Sequence, residues 1–139
     1  MTNLFAIRRD FMQRFDMAPP ASPQRNEQAL DMWETMLAEE VAEFRQALAD
    51  YHASASLDTE QQLAAMAELT AEGVDVLNIV CGLLLSQGLP LEAMTQAIHD
   101  ANLRKMVDGK VVRRADGKVL KPDGWQAADK LGVIRAALP

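Results

Sequence analysis

Apolar side chains recur at spacings of three and four along the first hundred or so residues, the period of helices that bury one face. Residues 4–15 predict a first helix, with Phe11 and Phe15 four apart. The link that follows holds Pro19, Pro20 and Pro23; proline lacks a backbone donor and cannot continue a helix. Asn26 or a neighbour is placed to cap a second helix over about 27–50. Its apolar stripe is Leu30, Trp33, Leu37, Val41, Phe44 and Leu48. A polar connection over 53–59 leads into a long third helix from about Thr59 to Ser86, closed by Gly88 and then Pro90. A fourth helix is predicted over about 91–106. There the helical period stops. Two short apolar-basic runs, 111–114 and 119–121, flank Asp116-Gly117, a strong hairpin signal. The pattern therefore predicts one all-α domain over 1–139: a four-to-five-helix bundle, a short C-terminal hairpin or extended arm, and a short last helix within 125–138.

Composition agrees with helix. Of 139 residues, 49% are hydrophobic and only 5% aromatic, a bias toward helix formers and away from sheet. One cysteine, Cys81, cannot form an internal disulfide, so a reducing cytoplasm is the expected compartment. The first ten residues lack the basic-then-apolar build of a signal peptide. The longest apolar stretch, 74–85, is broken by Asp75, Asn78 and Gly82 and falls short of the roughly 20 residues of a membrane span, so no membrane partner is expected. The net charge of −6 is unevenly spread. Residues 1–100 carry 16 acids against five Lys or Arg, whereas 101–139 carry four acids against nine. An acidic body repels nucleic acid but suits a metal–polyphosphate.

Two acidic clusters carry the candidate chemistry: Glu39, Glu40 and Glu43 on the second helix, and Glu68, Glu72 and Asp75 on the third. At 100° per residue, Glu40 falls at the edge of the second helix's apolar stripe, Glu43 a little further out, and Glu39 nearly opposite. Glu68, Glu72 and Asp75 fall within about 60° of one another, on a line continued by Ile79 and Leu83. Acids on a core-facing line are costly unless paired or metal-bound. Two carboxylates about 4 Å apart repel by roughly 4 kcal/mol at an effective dielectric of 20. Magnesium takes oxygen ligands and keeps several waters, so carboxylates together with substrate phosphates suit it. Asn78, one turn past Asp75, is placed to orient a carboxylate or a water. Glu-x-x-His pairs for a di-iron bundle are absent, since Ala49 and Gln96 precede His52 and His99 by three. A phosphate-binding glycine loop and a zinc set are absent as well.

This ordered set resembles the all-α NTP pyrophosphohydrolase superfamily, in its MazG-like, phosphoribosyl-ATP pyrophosphohydrolase-like branch. The resemblance rests on Glu39-Glu40-x-x-Glu43, then Glu72-x-x-Asp75, on Phe11-x-x-x-Phe15-Asp16 before a proline-rich link, on Asn102-x-x-Lys105, and on the run ending in Asp-Gly-Trp125. It implies that Glu40, Glu43, Glu72 and Asp75 bind magnesium (manganese as the substitute), with Glu39 joining an additional metal or a water. It also implies that Asn102 and Lys105 contact substrate. The basic C-terminal segment independently suggests that Lys121 and Trp125, which follow the hairpin, fold back over the nucleotide or over a partner subunit's site. The implied reaction cleaves a nucleoside triphosphate between the α and β phosphates, giving monophosphate and pyrophosphate, for example to remove dUTP or an altered nucleotide. A homodimer or homotetramer is implied too. Related sequences often carry a histidine between the two phenylalanines, where Met12, Gln13 and Arg14 stand here. Two other readings remain open: hydrolysis of phosphoribosyl-ATP in histidine biosynthesis, and a non-catalytic helical adaptor whose acids form a solvated face.

Overall fold

The computed structural model describes residues 3–139. They form five helices and no strand longer than an isolated bridge: α1 (Leu4–Arg14), α2 (Glu27–Ala53), α3 (Thr59–Ser86), α4 (Leu91–Leu103) and α5 (Lys130–Ala136). A 3-10 turn, Ser54–Ser56, joins α2 to α3. The chain divides into two compact units, one ending at Leu89 and one running Pro90–Pro139.

Caps fix the boundaries of the first unit. The Asn3 side chain accepts from the Phe5 and Ala6 amides to start α1, and Asn26 accepts from the Ala29 amide to start α2. Asp58 and Gln61 form a reciprocal capping box at α3, which satisfies two backbone donors that would otherwise lack partners. The Gln87 amide clamps the proline link to the end of α3. Its Oε1 accepts from the Asn26 amide at 2.8 Å, and its Nε2 donates to the Asn26 carbonyl at 3.0 Å. Gly88, at φ +64, makes the left-handed turn that ends α3.

The antiparallel α2–α3 pair is the spine of this unit, with α1 packed against α3. Trp33 is 2% exposed and lies directly on Gly82, so α2 and α3 approach closely there. Met12, Ala47, Cys81 and Leu85 complete the small buried core of the unit. On α1 the packing face is Arg8 and Met12, not the phenylalanine pair that marks the helix in sequence. Phe11 and Phe15 instead stack on each other, with centroids 4.4 Å apart, and are exposed.

By length and composition α3 is apolar enough to cross a membrane, with a mean hydropathy of 1.5 over its most apolar 18-residue window. The sequence reading of 74–85 alone understated this. A helix with apolar residues on more than one side is either the centre of a bundle or a span. Here one side of α3 meets α1 and α2, while Leu63, Met66, Val74, Leu77 and Val80 stay exposed.

In the second unit α4 packs against α5. Both Asp-Gly-Lys triplets make tight turns. The first closes a Val107–Lys110 bridge with Asp108 and Gly109 at positive φ, and the second closes an Arg113–Val119 bridge around Gly117. The hairpin is thus present in minimal form. The last helix is shorter than its sequence window and begins at Lys130, capped by Asp129.

Candidate functional site

The antiparallel register of α2 and α3 brings the two acidic clusters together. Glu40, Glu43 and Glu72 each offer a carboxylate oxygen within 4.8 Å of the others. Phe44 follows Glu43 and rests on Gly73, which follows Glu72, so the same packing that sets the helix spacing sets the carboxylate spacing. Glu40 and Glu72 are half-buried, and Glu43 is exposed. One oxygen of each half-buried pair member, Glu40 Oε2 and Glu72 Oε2, is buried with no hydrogen-bond partner. A buried acceptor left unmatched costs about 1–3 kcal/mol, so these oxygens are poised for a cation.

The electrostatics agree. Burial, then the neighbouring charges of Glu43, Asp75 and Glu39, pushes the Glu40 carboxyl above its ordinary range. Glu72 is pushed up by desolvation first, then by a carboxyl–carboxyl hydrogen bond with Glu68 and by the charges of Glu43, Glu68 and Asp75. Glu40 and Glu72, each with like charges around it, therefore resist ionisation. A divalent ion removes that resistance. Three carboxylate oxygens gathered within 4.8 Å of one another would be able to share one divalent cation, which takes oxygen ligands. The donor set, all oxygen, fits magnesium or manganese.

Of the other sequence candidates on these helices, Asp75 is exposed but lies near enough to Glu40 and Glu72 to perturb both. Asn78 is half-buried one turn further on. Glu39 is exposed and contributes no ligand atom to the cluster, as the helical wheel predicts. The acidic row of α3 does not run into the core as far as expected: Glu68 and Asp75 face solvent, and only Glu72 turns an oxygen inward.

Sequence reasoning missed Arg8. Its side chain lies on the α1 face that meets α3 and is 9% exposed. Burial lowers its pKa, while Cys81 and Asp75 act in the opposite direction; an arginine stays cationic regardless. Its guanidinium also sits 4.5 Å from the Phe11 ring centroid. The signal was available, since Arg8 and Met12 are four apart, but a charged residue on a helix reads as solvated by default.

The second unit holds the remaining candidates. Lys105 and Lys121 each place Nζ 5.2 Å from the centroid of Trp125, on which both make cation–π contacts. The indole is pinned by its Nε1 donating to the Ala101 carbonyl at 2.7 Å. Beside it, a hollow of about 380 Å³ is lined by Lys105, Lys110, Lys121, Val112, Leu120 and Asp123. Asn102 is exposed at the end of α4.

The chain is an all-α bundle whose two central helices bring three carboxylates together, a set of oxygen donors that could hold a metal ion. The family model described as phosphoribosyl-ATP pyrophosphohydrolase matches residues 7–102, and the chain belongs to that family, within the MazG-like all-α NTP pyrophosphohydrolase superfamily. Such proteins are hydrolases of phosphoric anhydrides and are generally metal-dependent. No curated protein matches the chain. The matched segment spans α2 and α3 whole, and so contains every carboxylate of the cluster.

Proposed function

We propose that the protein is a magnesium-dependent nucleoside triphosphate pyrophosphohydrolase that cleaves between the α and β phosphates, releasing monophosphate and pyrophosphate, and that clears dUTP or another deoxy or altered nucleotide. The observation that carries this reading is the convergence of Glu40, Glu43 and Glu72 with two buried, unmatched oxygens. A solvated acidic face, as a non-catalytic adaptor would have, gives no reason to bury those oxygens. Bound here, magnesium or manganese would supply charge neutralisation on the polyphosphate and a water of lowered pKa.

The chain's own residues divide the remaining work. Glu40, Glu43, Glu72 and Asp75 would hold the metal, with Glu39 available to a further ion or a water. Asn78 would orient a carboxylate or the water. Lys105, Lys121, Asn102 and Trp125 are assigned to substrate by their chemistry, since cationic donors stabilise charge developing on a pyrophosphate leaving group. Self-association as a homodimer or homotetramer is supported by the exposed apolar stripe of α3, Leu63, Met66, Val74, Leu77 and Val80, whose cover would be a second copy. A cytoplasmic location is supported by the single, unpaired cysteine.

The family match favours a second reading, hydrolysis of phosphoribosyl-ATP, which is the same chemistry on another substrate. A turnover panel with magnesium decides between them. A nucleoside triphosphate with the highest kcat/KM supports the first reading, and phosphoribosyl-ATP in that place supports the second. No turnover of any member leaves the adaptor.

A further inference from the structure

A hollow of about 380 Å³ opens in the first unit where the end of α1, the proline link and the start of α2 meet the end of α3. Met12, Met17, Met32 and Trp33 supply apolar walls, and Asp16 is the one charged residue among those lining it. Size and lining are those of a small-molecule site, mostly apolar with a few polar groups. Two of the polar residues are already engaged. Asn26 Oδ1 accepts from the Ala29 amide, and Ser86 Oγ donates to the Leu83 carbonyl at 2.6 Å. The Asp16 carboxylate has no such partner among the described residues. Its backbone, at φ +58, is left-handed. The Met17 amide donates to the Met12 carbonyl at 2.7 Å around it, the helix-ending turn in which glycine is the usual residue. An aspartate there costs conformational free energy that glycine would not. What it adds is a carboxylate in the wall of the hollow.

The hollow and the carboxylate cluster share one face of α2. Trp33 lies seven residues before Glu40, while Ala29 and Met32 lie eleven before Glu40 and Glu43. Seven and eleven residues each bring a helix back to within about 20° of its starting direction, and advance it by roughly 10 and 16 Å. An extended nucleoside triphosphate, base at one end and phosphates at the other, is of that length. We propose that the hollow receives the base of the nucleotide, with the Asp16 carboxylate accepting from N–H donors on the base edge. This rests on the nucleoside triphosphate reading above and deepens it, because it selects among the bases. An ionised carboxylate only accepts. A guanine edge presents two adjacent donors, N1–H and the 2-amino group, one for each carboxylate oxygen. A uracil edge presents one N–H between two carbonyl oxygens, which the carboxylate repels. The chemistry of the hollow therefore favours a guanine-type nucleotide and turns the reading away from dUTP.

The probes are the α,β-imido analogues of dGTP and dUTP, which resist cleavage between those phosphates, titrated with magnesium into the full-length protein by calorimetry. The parent should bind the guanine analogue about 10- to 100-fold more tightly, the worth of charge-assisted hydrogen bonds to one base. Asp16→Asn should remove most of that difference. Asp16→Gly, which suits the left-handed turn, should remove it too while melting at or above the parent temperature. A merely structural Asp16 would change the melting temperature and leave the ratio of the two Kd values alone. A second measurement needs no variant to fold: in the wild-type protein, the methyl 13C resonances of Met12, Met17 and Met32 should shift when the guanine analogue is added with magnesium. Nucleotide turnover by the wild type, together with a Kd ratio that favours uracil, a ratio unchanged in both variants, or methionine methyls that do not move, would overturn the role of the hollow and leave the enzyme reading intact. A wild type that binds neither analogue and turns over no nucleotide would remove both.

Discussion

Replacing Gly82 by alanine tests the packing that positions the site. Gly82 lies inside α3, where alanine ordinarily gains about 1 kcal/mol over glycine through helix propensity. Here the gain is overridden. A Cβ at this position would lie 2.9 Å from Trp33 Cε3, and closer still to Cζ3 and Cη2, where carbon atoms prefer about 3.5–4.0 Å. Trp33 is 2% exposed, so the indole has no solvent to move into and α2 must back away. Overpacking of this kind costs about 1–3 kcal/mol, so the variant should be less stable than the parent. Gly73 provides the control on the same helix. Its added Cβ would rest 3.4 Å from Phe44 Cε2, an ordinary contact, and Gly73→Ala should stabilise by about 0.5–1 kcal/mol. Thermal melts at one fixed protein concentration read the difference, at about 3–5 °C per kcal/mol for a chain of this size. A Gly82→Ala variant melting at or above the parent would refute the close approach of α2 and α3.

The acids should be unequal in activity: Glu72→Gln and Asp75→Asn should abolish nearly all turnover, and Glu39→Gln much less, measured as kcat/KM on the best substrate. The metal-free protein should lose stability as the pH rises. Glu40 and Glu72 have folded-state pKa values above their ordinary 4.5, so the folded chain holds those protons more tightly. Their contribution is full below the unfolded value and is lost as the pH climbs through the raised ones. Melts from pH 4.5 upward, with a metal chelator, should show a decline that Glu40→Gln reduces and that saturating magnesium reverses. Lys105→Ala should slow turnover by roughly one to three powers of ten, the usual loss of one charge-stabilising donor, and a chain ending at Leu120 should keep metal binding while raising KM. Parent-like kinetics in both would make the basic tail a bystander.

The helices were legible because their signals are local. Asn26 capping α2, Gly88 ending α3 and the Asp-Gly turns depend on one or two residues, and each lies where the pattern puts it. The carboxylate cluster was legible because Glu40, Glu43 and Glu72 sit at helical spacing on neighbouring helices. What escaped depends on how one helix meets another. Arg8 is buried because α1 turns that face to α3, whereas periodicity made Phe11 and Phe15 the obvious candidates. Asp75 faces solvent although it lies on the wheel line of Ile79, because a wheel gives direction on one helix and not the extent of its neighbours. The two lysines on Trp125 were foreseeable as chemistry but not as a cluster, since a turn of about fifteen residues brings them together.

The most direct test of the account is the identity of the first phosphorus product, followed by 31P NMR during turnover of the best substrate with magnesium and no added pyrophosphatase. The account predicts monophosphate and inorganic pyrophosphate appearing together in equal amounts, with no product when the metal is chelated. Orthophosphate appearing before pyrophosphate, or turnover that persists with the metal chelated, would contradict it.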